Sequence, residues 1–217
     1  MKAELDIAGL KAKLEVESKE LDGFIKAIVP DPIVQLGGIL TDHVVFWRWK
    51  NQVKIAKKAK KFLDDNGITP QQIPLKIFIP LLEQGALEED DNIQTKWASL
   101  LANAASGNRK VLPNYIEILS GLSAVEVSIL DTLHKAILGN TDKKQQMVFS
   151  REKIGTSFGL NDEDTRLIVE NLIRLGICRP PLSQGISFGG MPIALQTTDA
   201  FEVTYFGLAF IEACRYS

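Results

Sequence analysis

The segment 74–86 sets the strongest constraint on how this chain folds. Leu75, Ile77, Phe78, Ile79, Leu81 and Leu82 fall on every side of a helix, with few polar positions between them. A helix that is hydrophobic all round must be covered by other elements. The chain therefore has to supply a helical or sheet surround, or else use part of this surface for self-association. Pro80 lies in the middle and predicts a kink or a division into two pieces.

The flanking sequence supplies that surround as helices. Residues 3–28 place Leu10, Leu14, Leu21, Phe24, Ile25 and Ile28 at roughly helical spacing. Pro30 and Pro32 stop that run. A long basic amphipathic helix is predicted from about 33 to 63, crossing Gly37-Gly38. Asp64-Asp65-Asn66-Gly67 ends it, with Gly67 in the usual left-handed position. Thr69 before Pro70 fits an N-cap and first-turn pair for the next helix. Glu88, Glu89, Asp90 and Asp91 open a helix over 89–105, with acids at its positive end. Trp97, Leu100, Leu101 and Ala104 form its apolar stripe, and Asn103 within that stripe calls for a fixed hydrogen bond. The expected organisation is a helical N-terminal region at 1–106, a linker at 107–113 and a second domain at 114–217.

The second domain has a different pattern. A short helix is predicted at 114–121. Ser123 and Glu126 make a capping box for a helix at 124–138. Ser150 caps 151–158, and Asn161 caps 162–175. After Gly176 the period shortens to that of strands, at 177–179, 186–188, 193–198 and 201–204. A last helix covers 205–215. Three helices followed by a β-hairpin predict a winged-helix-like α+β domain, so the fold class is mainly α with a winged-helix-like C-terminal part.

Composition excludes several classes. Of 217 residues, 45% are hydrophobic and 24% charged, which is ordinary for a chain with a packed core. Residues 1–110 carry 16 Lys and Arg against 15 Asp and Glu, and residues 111–217 carry 9 against 12. Neither half has the basic excess of a typical DNA-binding domain. Cys178 and Cys214 lack metal-ligand spacing and read as buried apolar residues in a reducing compartment. No signal-peptide core opens the sequence, and no apolar run reaches membrane-spanning length. The expected location is the cytoplasm.

One stretch carries a binding signal. From His43 to Leu63 there is no acid, and Arg48, Lys50, Lys54, Lys57, Lys58, Lys60 and Lys61 are basic. On a helical wheel Lys50, Lys54, Lys57, Lys58 and Lys61 share one face, with Trp47 one turn before Lys50. Val44, Val45, Ile55, Ala56, Ala59, Phe62 and Leu63 lie opposite. Like charges one turn apart repel by a few tenths of a kcal/mol per pair. An acidic protein surface, phosphates or anionic lipid would relieve that, and Trp47 suits stacking or a headgroup layer. The plain alternative is a solvated lysine face beside the chain's own acids at 88–91.

The third helix of the winged domain opens with Asp162, Glu163 and Asp164. Carboxylates at the end that would enter a major groove repel DNA. A protein-binding or structural role is therefore favoured there over nucleic acid. The sequence predicts no catalytic set, no cofactor and no metal site. His43 and His134 lack partner motifs, and the glycine pairs lack phosphate-loop spacing.

Gln35-Leu36-Gly37-Gly38, then Phe46-Trp47-Arg48-Trp49-Lys50-Asn51-Gln52, resemble the opening signature of the Abi-alpha family. Ile73-Pro74-Leu75-Lys76 and Pro80-Leu81-Leu82-Glu83 resemble it too, as does Lys96-Trp97-Ala98-Ser99-Leu100-Leu101-Ala102-Asn103-Ala104. The resemblance covers roughly residues 30–215. It implies an association with bacterial abortive infection, in which an infected cell stops growing before phage spread, and it carries no catalytic residues. The expected role is a non-enzymatic interaction module of phage defence that binds a protein partner. A nucleic-acid-binding regulator is the alternative, and a toxin or membrane-acting effector is the second. Self-association stays open, and a membrane partner is disfavoured.

Overall fold

The computed structural model describes residues 2–29, 43–139, 147–181, 186–188, 191–193 and 199–216. These residues form a mainly helical chain with a small three-stranded antiparallel sheet. They group into two compact units, Met1–Gly121 with Ala213–Ser217, and Leu122–Glu212.

The first unit holds α1 (Lys2–Ile28), α2 (His43–Asp65), α3 (Leu75–Gly85), α4 (Asp91–Ser106) and α5 (Pro113–Ser120). Its most extensive helix pair is α2 with α4. Ala56 and Ala59 on α2, and Ala98 and Ala102 on α4, are fully buried. Side chains this small let helix axes approach closely. Larger groups fill in around them: Ile55, Leu63, Trp97, Leu100 and Leu101 are all nearly inaccessible.

The described part of α2 begins at His43, and the expected start near residue 33 lies outside the described residues. Its end forms as expected. Gly67 has φ of 63°, Gly67 N–H donates to Asp64 O and Ile68 N–H donates to Leu63 O. These bonds satisfy carbonyls that the helix end leaves open.

Three local expectations are corrected. No helix starts at Pro70. The stretch after it takes no regular structure, and Gln71 N–H donates to Ala105 O and Ile73 N–H to Ile28 O, both at 2.7 Å. Pro80 does not divide the apolar segment, since α3 runs through it as one helix. Nor is α3 covered on all sides. Ile77, Phe78, Leu81, Leu82 and Gly85 are buried, whereas Lys76, Ile79, Glu83 and Gln84 face solvent.

The division between units falls after Gly121, not at 107–113. The reason is α5, which packs on α3 and buries Tyr115, Ile116, Ile118 and Leu119. The last residues also return to the first unit, where Asn103 Nδ2 donates to Ala213 O and Phe62 stacks on Tyr216.

The second unit runs α6 (Ala124–Gly139), β1 (Val148–Ser150), α7 (Arg151–Phe158), α8 (Asp162–Arg174), β2 (Cys178–Arg179), β3 (Ile186–Phe188), β4 (Met191–Ile193), β5 (Ala200–Val203) and α9 (Tyr205–Ala213). Its sheet has the order β1-β5-β2, with Phe149 opposite Phe201 and Cys178 opposite Val203. β3 and β4 pair as a separate antiparallel hairpin. β1 was not anticipated. It is three residues long, and its last residue, Ser150, doubles as the N-cap of α7. Cys178 and Cys214 are both buried and unbridged, and burial pushes the Cys178 thiol up to about 12.

Candidate functional site

The basic residues singled out in the sequence lie on α2. The helix buries Trp49, Val53, Ile55, Ala56, Ala59 and Leu63, which leaves its lysines along the rims of that buried face. Phe62 is half-buried, ring on ring with Tyr216 at 5.6 Å and 9° between planes. The side chains of Val44 and Val45 lie outside the described set.

The lysines do not share one environment. Lys54 and Lys58 converge on α4, where both ammonium groups reach Asp91 Oδ1, at 2.8 and 2.9 Å. Lys58 also donates to Asp91 O at 3.1 Å and to Thr95 Oγ1 at 2.9 Å. Asp91 opens α4, directly after the N-cap Asp90, whose carboxylate accepts from Asn92 N–H and Ile93 N–H. Hydrogen bonds from Lys54 and then Lys58, reinforced by their charge, hold the Asp91 carboxyl at about 2, well below its ordinary value of 3.8.

Lys57 turns the other way, toward Glu17 at 3.4 Å and Glu20 at 4.0 Å on α1. Lys60 and Lys61 pair along their own helix with Asp64 and Asp65, at 2.5 and 2.6 Å. An open groove of about 310 Å³ runs here, lined by Glu20, Leu21, Lys57, Lys60, Lys61, Asp64 and Asp65. Its lining mixes both signs of charge.

The amino-terminal end of the helix differs. Trp47 is 52% exposed, and Lys50 Nζ sits 4.4 Å from its ring centroid. That is cation–π distance. Arg48 is exposed beside them. Among the described residues no carboxylate pairs with Arg48 or Lys50.

Sequence reasoning missed a buried polar cluster under the same helix. Asn51 Nδ2 donates to Ala86 O at 3.0 Å, and Gln94 Nε2 donates to Asn51 Oδ1 at 3.2 Å and to Glu88 O at 2.7 Å. Asn51 on the buried face of α2 was the available signal, because a buried amide must find partners.

In the second unit the acids of α8 are built into its start. Asn161 Oδ1 accepts from Asp164 N–H at 2.7 Å, while Arg151 reaches Asp162 at 3.1 Å and Asp199 at 3.2 Å. Glu163 and Asp164 stay exposed, and Arg166 pairs with Glu170 at 2.8 Å. Among the described residues no three His, Cys, Asp or Glu side chains converge as a metal site requires, and no helix is long and apolar enough to cross a membrane.

Fold and site together define a class: a mainly helical protein of two compact units, with a lysine-rich helix braced by acids from its neighbours. The family model described as abortive infection alpha matches residues 50–214, most of the chain, and the chain belongs to that family. No curated protein and no solved structure matches it.

Proposed function

We propose that this chain is a non-enzymatic interaction module of a bacterial phage-defence system of the abortive-infection type, acting in the cytoplasm by binding a protein partner. The family match over residues 50–214 carries the reading. The partner surface lies within the face of α2 that contains Trp47, Lys50, Lys54, Lys57, Lys58 and Lys61. An exposed tryptophan is a residue type enriched in protein-binding patches, and lysines beside it favour a partner surface of opposite charge.

The second unit is read as a winged helix. In its favour is the element order α6-β1-α7-α8-β2, then the β3–β4 hairpin as wing, then β5 at the centre of the sheet. That order alone favours a second reading, a nucleic-acid-binding regulator. Against it stands the start of α8, where Glu163 and Asp164 are exposed on the end that would meet phosphates.

The test is phage plating efficiency on a bacterial host with and without the gene, beside uninfected growth curves. Fewer plaques with normal uninfected growth is the expected result. Unchanged plating across a varied phage panel overturns the defence reading. Binding to DNA or RNA that weakens steeply with salt would put the regulator first.

A further inference from the structure

Resting on that reading, we propose that the partner contact is confined to the amino-terminal end of α2, at Trp47, Arg48 and Lys50, and that its occupant is an acidic segment of a protein partner. The rest of the basic face is already neutralised. Lys54 and Lys58 share Asp91, Lys57 faces Glu17 and Glu20, and Lys60 and Lys61 hold Asp64 and Asp65. An outside anion at those positions would have to displace a carboxylate already at ion-pair distance. Arg48 and Lys50 have none among the described residues.

The geometry at this end suits a side-chain carboxylate beside an apolar group. Lys50 lies over the Trp47 ring, so cation and aromatic face form one surface. Tryptophan and arginine are the residue types that most often dominate protein–protein binding energy. A nucleic acid would need a track of several cations along its phosphates. Here the cations without a carboxylate are two, Arg48 and Lys50, and the lysines beyond them along the helix are paired with acids.

Trp47 also provides the readout. Of the three tryptophans, Trp49 is 5% exposed and Trp97 is 1% exposed, against 52% for Trp47. Acrylamide quenching of intrinsic fluorescence in the full chain therefore reports mainly on Trp47. The probe is poly-L-glutamate of about 20 residues, a length several times the helical turn it must match, with single-stranded DNA of equal length as comparison.

Poly-L-glutamate is expected to shield Trp47 from acrylamide, and Arg48→Glu with Lys50→Glu to weaken that binding by roughly tenfold or more. Lys60→Gln, at a lysine outside that face and already paired with Asp64, is expected to change it less than about twofold. Both variants lie on exposed or half-exposed positions, and Trp47→Phe, which removes the signal without charge change, confirms its source. Absence of shielding overturns the proposal. So does shielding by DNA but not by poly-L-glutamate, or a loss in Lys60→Gln equal to that in the Arg48 and Lys50 variant. Plating separates this from the defence reading. A gene that protects equally well with Arg48→Glu and Lys50→Glu sinks the patch and leaves the defence role standing. A gene that fails to protect, while poly-L-glutamate still shields Trp47, does the reverse.

Discussion

The side-chain amide of Asn103 donates to the main-chain carbonyl of Ala213 at 2.9 Å, and the same nitrogen reaches Arg215 O at 3.0 Å. Asn103 is 3% exposed, so these bonds are made out of water. One amide nitrogen thus serves two carbonyls at the end of the chain, where a finished helix leaves its acceptors open. Asn103→Ala removes the donor and leaves buried acceptors unpaired, at a cost of about 1–3 kcal/mol. Asn103→Asp should cost more, because a carboxylate would face two carbonyl oxygens. Urea unfolding of the three proteins measures both. Equal midpoints for all three would sink this account.

In the second unit the backbone of Gly207 packs closely against that of Ile177. A Cβ at Gly207 would lie 2.1 Å from Ile177 O, a main-chain atom that cannot swing aside. Thr204 N–H already donates to that same oxygen at 2.9 Å. Gly207→Ala is expected to lower stability by about 2 kcal/mol or more, as overpacking of a buried site does. Gly85→Ala is the milder comparison. Its nearest atom would be Ile55 Cδ1 at 2.9 Å, the end of a flexible side chain. Thermal unfolding should rank Gly207→Ala well below Gly85→Ala, and the opposite order would refute the assignment.

The same contrast between local and long-range signals explains what the sequence made legible. Helix ends written in capping chemistry were readable: Ser123 with Glu126, Asn161 before Asp162, and Gly67 at positive φ. Asn103 was legible as a residue needing a partner, but nothing local could name carbonyls more than 100 residues away. Thr69-Pro70 had correct cap chemistry and still opened no helix, because Gln71 and Ile73 give their N–H groups to distant carbonyls. At the candidate site the wheel placed five lysines on one face. It could not show that Asp91 and Glu17 approach that face from opposite sides, since both distances are set by tertiary packing.

Glu126 does more than complete its capping box. Its Oε2 accepts from Ser123 N–H at 2.8 Å and from Ser123 Oγ at 2.7 Å, while its Oε1 accepts from Asn171 Nδ2 at 2.6 Å. The residue is 5% exposed. Glu126→Gln would set an NH2 against one of those donors, at a cost of about 1–3 kcal/mol. Ser123→Ala leaves the Asn171 bond intact and should cost about 1 kcal/mol, the usual value of an N-cap. Denaturant titration of both variants checks the order, and a Ser123→Ala cost above that of Glu126→Gln would show that the Asn171 bond contributes little.

Asp91 makes one part of the stability pH-dependent, with a fixed sign. Its carboxyl titrates at about 2 in the folded chain against an ordinary 3.8. A depressed folded value means that the unfolded chain takes up the proton first as pH falls. The stabilisation is therefore complete above about 4 and is lost as pH drops toward 2. The Asp91 side chain is 69% exposed, so solvent screening holds the contribution to about 0.2–1 kcal/mol. Asp91→Asn removes the carboxylate and keeps the shape. The free-energy difference between the native chain and Asp91→Asn, from denaturant unfolding at pH 6 and again near pH 2, should be positive at the first and close to zero at the second. At pH 6 it should also shrink on raising salt to about 1 M, where the screening length falls to roughly 3 Å. A difference that stayed constant across both pH values would mean that Lys54 and Lys58 gain nothing from the charge they share.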